Sequence, residues 1–291
     1  VVLSRGLGDV YKRQMKIVQD NKSLEKLCKL LNKYKIIFLD TEFKRDNTYW
    51  PILCTIQIKT QRKEFLIDML SGEKMNFENF RRILTSKKIL KVIHSARQDI
   101  EVLNYAFEIS VVNVFDTQIA YNSIYGGQTI GYTSLVEKLF KIKLSKKHQV
   151  SDWTKRPLSS EQINYAINDV YYLPKIYVNL LQKIKKRNLV KRIKKIIEDH
   201  LDTKDVYNTK KSYKRIKIKN FSKNEKKLIK KFSEWRENYA QKDDLPRNWI
   251  VSDKNLIRAS KNRLGELKKG KNKNDQRLEV FESYVKSLYL G

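Results

Sequence analysis

Between positions 36 and 115, short runs of β-branched, aromatic and aliphatic residues alternate with segments of helical periodicity, and this order constrains the fold more than any other feature. Residues 36–40 (IIFLD), 53–58 (LCTIQI), 64–68 (EFLID), 89–93 (ILKVI) and 111–115 (VVNVF) predict strands. Residues 23–31, 77–84 and 95–107 carry apolar side chains at helical spacing, and 159–184 continues that pattern over a longer segment. Strands in succession, followed by strands alternating with helices, predict a mixed sheet covered by helices, an α/β fold.

At 291 residues the chain is long enough for one substantial core and a smaller second domain. Residues 183–219 are dominated by Lys and Arg and contain neither Gly nor Pro, which predicts a basic helix leading into a solvated connector. Beyond it, three helical patterns between 224 and 290 are broken at 243–246 and at 269–272, with Trp235, Trp249 and Phe281 available for a small helical core. The expected division is a leader at 1–14, an α/β domain at 15–190, the basic helix and connector at 191–223, and a helical domain at 224–291. The leader lacks the apolar core of a signal peptide, and Met15 is a plausible start, so 1–14 are excluded from the fold.

Lys and Arg number 62 against 32 Asp and Glu, a formal net charge of +30. Such an excess concentrates polyanions by long-range attraction and makes nucleic acid the leading partner. The competing reading is a solvated lysine-rich surface that binds nothing in particular. Cys28 and Cys54 sit in apolar contexts without metal-ligand spacing, which fits buried free thiols in a reducing cytoplasm. No stretch approaches the roughly 20 apolar residues of a membrane span, and the mean hydropathy is −0.61. The expectation is a soluble, cytoplasmic protein with no membrane partner.

Three acidic elements could carry chemistry. Asp40-Thr41-Glu42 closes the first strand, and two-residue alternation puts both carboxylates on one face, a pair suited to a hard cation. Acids also commonly end strands. Asp99 falls in the first turns of the helix after His94, where it equally complements the helix dipole, and His94 fits a satisfied residue at a strand end. Tyr165 and Asp169, four apart, project from one helical face. The three occur in order on a strand end, a helix start and a mid-helix face.

Together these segments resemble the three exonuclease motifs of the DEDD superfamily, and Tyr165 resembles the mark of its tyrosine-containing branch. Phe43, Tyr49, Pro51, Leu53 and Gln57, then Val114-Phe115-Asp116-Thr117-Gln118, then Ser151-Asp152-Trp153 with Arg156-Pro157-Leu158, sharpen the likeness to ribonuclease D over 36–180. The resemblance implies an RNase H-like fold with a five-stranded mixed sheet and helices on both sides. It implies two divalent cations, Mg²⁺ or Mn²⁺, with Asp40 bridging both, Glu42 and Asp169 completing the site of the attacking water, and Asp99 acting on the second ion directly or through water. Tyr165 would orient that water, because a phenol of pKa about 10 is a poor base at neutral pH. Expected partners are RNA 3′ ends, with tRNA precursors the family's best-known substrate class. At 146–149 (KKHQ) relatives often carry an acid, a departure bearing on local substrate contacts.

Trp235-Arg236-Glu237, with 245–249 (LPRNW) and 253–256, resembles the start of an HRDC module. Its aromatics serve equally as the core of a stabilising appendage. Two rival functions stay open: a DNA exonuclease of the same fold, since the motifs address phosphates and not the sugar, and an inactive nucleic-acid-binding module, which would not require four acids where phosphate must approach.

Overall fold

The computed structural model describes residues 15–127, 129–145, 150–268 and 275–290. The leader at 1–14, the KKHQ departure at 146–149 and the break at 269–272 lie outside the described residues. The chain divides into two compact units. One holds the described residues up to Lys44 together with Ile52–Asp202, and the other holds Arg45–Pro51 together with the chain from Thr203 onward.

The first unit is built on a six-stranded sheet of β1 (Lys16–Val18), β2 (Ile36–Lys44), β3 (Ile52–Lys59), β4 (Glu64–Asp68), β5 (Leu90–Ile93) and β6 (Val114–Asp116), in the order β1-β4-β3-β2-β5-β6. β2, β3 and β4 pair antiparallel, whereas β1 on β4, β5 on β2 and β6 on β5 are parallel. The mixed sheet is the one expected, with one strand more than the expected five. The extra edge strand, β1, is three residues long, too short for a period-2 signal to register.

Helices α1 (Asn21–Leu31), α2 (Glu78–Leu84) and α3 (Arg97–Phe107) cover one face. Their Leu24, Leu27, Phe80, Ile100 and Leu103 share a core with Ile37, Leu39, Ile56 and Ile67 of the strands. α4 (Thr117–Tyr125) and α5 (Tyr132–Phe140) follow β6, then α6 (Ser160–Tyr171), α7 (Leu173–Lys186) and α8 (Val190–His200). On the second face Phe38 and Val92 pack with Val170, Leu173 and Tyr177, and Cys54 and Leu66 pack with Trp153 and Ala166.

The long helical pattern at 159–184 is two helices, not one. The break falls at Tyr172, and Pro174 sits in the first turn of α7, where its missing N–H and fixed φ are tolerated. Both cysteines are free and buried, and burial pushes each thiol up to about 11. No helix of the described residues is long and apolar enough to cross a membrane.

The second unit contains a 3₁₀ turn at Thr209–Arg215 and helices α9 (Lys223–Lys242), α10 (Arg247–Ile250), α11 (Asp253–Ser260) and α12 (Asp275–Leu290). α9 starts at a capping box in which Ser222 and Glu225 bond each other's backbone. Phe232, Phe281, Ile229 and Leu256 form its core, and Trp235 packs at its border against Phe281 and Tyr284. Trp249 is part-exposed, and the neighbouring Ile250 takes the buried position instead.

Tyr49, 1% exposed, belongs to this same core. Its hydroxyl donates to Glu237 Oε1 at 2.5 Å, and Asp244 Oδ1 accepts from the Tyr49 and Trp50 amides at 3.0 and 2.9 Å. Glu237 is fully buried and also takes Arg247 (2.6 and 2.7 Å) and Arg215 (2.8 Å). Those cations, with the phenol, keep it ionised despite burial. The segment at 191–223, expected as one basic helix and connector, is shared between the units, with α8 in the first and the 3₁₀ turn in the second.

Candidate active site

Alternation along β2 decides which side chains meet. Ile37 and Leu39 enter the core under α1–α3, so Phe38, Asp40 and Glu42 point to the opposite face, the one covered by α6. α6 is anchored by a capping box between Ser159 and Gln162. It buries Ala166 and Val170 against that face, and the i,i+4 spacing brings Tyr165 and Asp169 to the same side. Carboxylate oxygens of Asp40, Glu42 and Asp169 consequently lie within 4.8 Å of one another, each residue half-buried.

Asp99 arrives from the other side of the strand. It is 7% exposed on the first turn of α3, and its Oδ1 accepts from the Thr41 hydroxyl at 2.5 Å and the Thr41 amide at 3.2 Å. Of the four acids expected to act together, three form the cluster and the fourth is fastened to the residue between two of them.

The start of α3 is itself held by Asp116, 1% exposed, which the sequence marks only as part of a resemblance. Its carboxylate accepts from the amides of Ser95 (3.2 Å) and Ala96 (2.8 Å), and caps α4 through Gln118 (2.8 Å) and Ile119 (3.1 Å). Ser95 takes a left-handed φ of 58° in that turn. Four amide donors on one carboxylate thus set the direction in which Asp99 leaves the sheet. His94 is satisfied, with Nδ1 2.9 Å from Thr117 Oγ1 and Nε2 3.1 Å from the Ile130 carbonyl.

Two further residues brace α6. The Tyr132 hydroxyl donates to the Asn168 carbonyl at 2.7 Å and accepts from the Tyr172 amide at 3.1 Å, spanning the break between α6 and α7 beside Asp169. Tyr132 stands far before Tyr165 in the chain, and no periodicity links the two. The Trp153 ring, 3% exposed, lies 6.1 Å from that of Tyr165, tilted by 47°. The segment bearing Trp153 is tied to the sheet by Arg156. Its Nε and Nη2 bond Asp68 at 2.6–2.9 Å, its Nη2 reaches the Cys54 carbonyl at 3.1 Å, and its Nη1 donates to the Trp153 carbonyl at 2.7 Å.

Burial, and after it the closeness of like charges, raises the pKa values of these groups. Burial, then repulsion from Asp99, Asp169 and Glu42, pushes Asp40 well above the usual carboxylate range. Burial, then repulsion from Asp169 and Asp99, pushes Glu42 up to about 9. Asp169 rises to about 7 through burial, opposed by a hydrogen bond from Tyr165, and Asp99 rises to about 7 through burial, opposed by the Thr41 hydroxyl. Tyr165 is raised by burial and by the neighbouring carboxylates. Converging acids that would each rather be protonated make a donor set of hard oxygens that a divalent cation relieves.

A family model described as 3′-5′ exonuclease matches residues 15–185. The chain is 32% identical to ribonuclease D of Bartonella henselae over 97% of this chain and 70% of that protein. It is 33% identical to ribonuclease D of Zymomonas mobilis over 82% of this chain and 62% of that protein, so it spans about two thirds of the length of these relatives. Among solved structures it is similar to Escherichia coli RNase D, described as an exoribonuclease involved in structured RNA processing, with a TM-score of 0.79 and 24% identity over 94% of this chain and 75% of that one. The chain therefore belongs to the ribonuclease D family of 3′-5′ exoribonucleases.

Proposed function

We propose that this chain shortens RNA from its 3′ end by hydrolysis, releasing 5′-mononucleotides, with Asp40, Glu42, Asp99 and Asp169 as its metal-binding acids and Tyr165 beside them. The carrying observation is the convergence of Asp40, Glu42 and Asp169 oxygens within 4.8 Å, with Asp99 bonded to Thr41 between the first two. Two divalent cations, Mg²⁺ or Mn²⁺, held by these acids would activate water and stabilise the departing 3′ oxygen. Asp40 would serve both ions. Glu42 and Asp169 would hold the ion that activates the attacking water, with Tyr165 beside them, and Asp99 would serve the second ion. The Tyr165 hydroxyl would position that water instead of taking its proton, because a phenol is a poor base at neutral pH.

The natural substrate class is structured RNA with a 3′ tail, tRNA precursors among them, handled in the cytoplasm. The helical unit acts as an HRDC-like module built from 45–51 and 203–291. The test is an equal-sequence pair of RNA and DNA oligonucleotides, labelled at either end, incubated with Mg²⁺ or Mn²⁺. A ladder shortening from the 3′ end on RNA, with mononucleotide product, is expected. Preference for DNA would reassign the substrate, and no cleavage of either would leave a binding module.

A further inference from the structure

Basic charge in the first unit is unevenly placed. Residues 183–195 hold eight Lys or Arg and no Asp or Glu, whereas other helices of this unit set some of their exposed cations against acids, as in Lys29–Glu25 and Arg82–Glu78. Among the described ion pairs this stretch contributes Lys194–Glu198, at 3.8 Å. Like charges so close repel one another.

The stretch is also organised. α4 packs its Tyr121 and Ile124 in one core with Ile184 of α7 and Ile193 and Ile197 of α8. The exposed Tyr125, at the end of α4, carries Lys183 Nζ 5.1 Å and the Arg187 guanidinium 5.9 Å from its ring centroid. Lys183 Nζ also bonds the Tyr125 hydroxyl, and Arg187 Nη1 donates to the Ile124 carbonyl at 2.5 Å. Two long cationic side chains are thereby held in place with donors to spare, which lowers the entropy cost of binding an anion. From there α8 continues for 11 residues, about 16 Å of helix. Lys191 and Lys195 lie one turn apart on its exposed side. At the far end the His200 carbonyl accepts from Arg97, two residues before Asp99. Lys183 and Arg187, held at Tyr125, are thus followed by Lys191 and Lys195 along α8, whose far end is bonded to α3 through Arg97.

We infer that this row, Lys183, Arg187, Lys191 and Lys195 arranged from Tyr125 along α8, is an RNA-binding surface that grips the phosphodiester backbone of the folded body of a substrate. The inference rests on the exonuclease reading for its substrate but not for its measurement. An organised set of cations without base-reading groups recognises the backbone and shape of helical RNA, and its binding must weaken steeply with salt.

The test compares two fourfold variants of the full chain. One carries Lys183→Gln, Arg187→Gln, Lys191→Gln and Lys195→Gln. The other carries Lys22→Gln, Lys26→Gln, Lys33→Gln and Lys88→Gln, exposed lysines outside the row. Both change net charge equally. Affinity for an RNA hairpin with a 3′ tail is measured at several KCl concentrations with Ca²⁺ in place of the catalytic cation, and cleavage of a short single-stranded RNA is measured with Mn²⁺. A double variant, Lys191→Gln with Lys195→Gln, repeats the binding measurement without touching the Tyr125 contacts, so a folding defect at Tyr125 cannot mimic the result.

The row variant should bind the hairpin at least about tenfold more weakly, with a log–log salt slope shallower by about 0.7–0.9 for each phosphate that is no longer neutralised. The double variant should fall between it and wild type, and the second fourfold variant should stay near wild type. Cleavage of the short RNA should be unchanged in all of them. Equal weakening in both fourfold variants, or no change in the row variant, would overturn the inference in favour of unspecific surface charge. Loss of short-RNA cleavage in the row variant would overturn it too, because the row would then act through the acids. Wild-type protein that cleaves nothing, yet binds the hairpin through the row, supports the surface and refutes the exonuclease reading alone.

Discussion

The most informative single substitution is Thr41→Val, because it removes one hydroxyl from between the acids and leaves side-chain shape nearly unchanged. Thr41 and Asp99 are 6% and 7% exposed, so water cannot replace the lost 2.5 Å bond. In the cation-free protein Asp99 titrates near 7, against about 3.9 for an unfolded chain. The folded form therefore holds the extra proton, and this carboxyl erodes stability as pH climbs from about 4 to 7. The Thr41 hydroxyl opposes that erosion by favouring the ionised form.

A hydrogen bond to a neutral partner contributes about 0.5–1.5 kcal/mol and one to a charged partner about 1.5–3 kcal/mol. Thr41→Val should then cost about 1 kcal/mol at pH 5 and about 2 kcal/mol at pH 8. The difference of about 1 kcal/mol corresponds to a further rise of somewhat under one unit in the Asp99 pKa. Urea unfolding in EDTA at the two pH values reads both costs. With Asp99 freed from its anchor, Mn²⁺-dependent turnover should also fall by about 5- to 30-fold, the rate equivalent of about 1–2 kcal/mol. Thr41→Ser, which keeps the hydroxyl, should restore most of both. Equal destabilisation at pH 5 and pH 8, or a Ser variant as damaged as the Val variant, would refute the proposed link between Thr41 and Asp99.

Tyr165→Phe should keep cation binding and lower turnover by about 10- to 10³-fold, less than Asp169→Asn does, since a positioning hydrogen bond is worth a few kcal/mol at most; equal rates would reduce Tyr165 to packing. Glu42 near 9 and Asp169 near 7 give the metal-free fold extra protons, so its stability in EDTA should fall as pH rises from about 4 to 9. Mg²⁺ should accordingly raise the melting temperature more at pH 8 than at pH 5, and an equal rise at both would contradict the crowding. A fragment of 203–291 lacks Tyr49, whose hydroxyl and ring fill part of the helical core. It should show no cooperative melting until a peptide of 45–51 is added, whereas a cooperative transition of the bare fragment would show that short segment to be dispensable. In the whole chain, Glu237→Leu should cost about 3–5 kcal/mol in urea unfolding, because Arg247, Arg215 and Tyr49 lose a shared buried acceptor.

Local periodicity makes much of the site legible. Alternation at Phe38, Asp40 and Glu42 and the four-residue step from Tyr165 to Asp169 are both carried by a few neighbouring residues. That these two faces meet depends on α6 packing against the Phe38 side of the sheet, which no local pattern encodes, and only the resemblance anticipates it. The same limit hides the residues that aim the acids. Asp116 acts through four backbone amides, and Tyr132 through a carbonyl and an amide at a helix break, so neither leaves a spacing to detect. α4 and α5 escape the periodicity reading, and the break at Tyr172 is obscured because apolar residues continue in phase across it. Tyr49 follows an exonuclease motif in sequence yet belongs to the helical core, a membership set by Glu237 and Arg247, far along the chain.

If the clustered acids perform the cleavage, Asp40→Asn should abolish it, because the substitution keeps the side chain's size while removing its charge. The measurement is shortening of a 5′-labelled RNA with Mn²⁺ by wild-type and variant protein purified side by side, with hairpin binding in Ca²⁺ as the check that the fold is intact. Wild type should produce a 3′-shortened ladder and Asp40→Asn should be slower by at least about 10³-fold, the loss expected when preorganised charge at a transition state is removed. A variant that trims RNA at a rate comparable to wild type would show that the cleavage does not depend on this cluster.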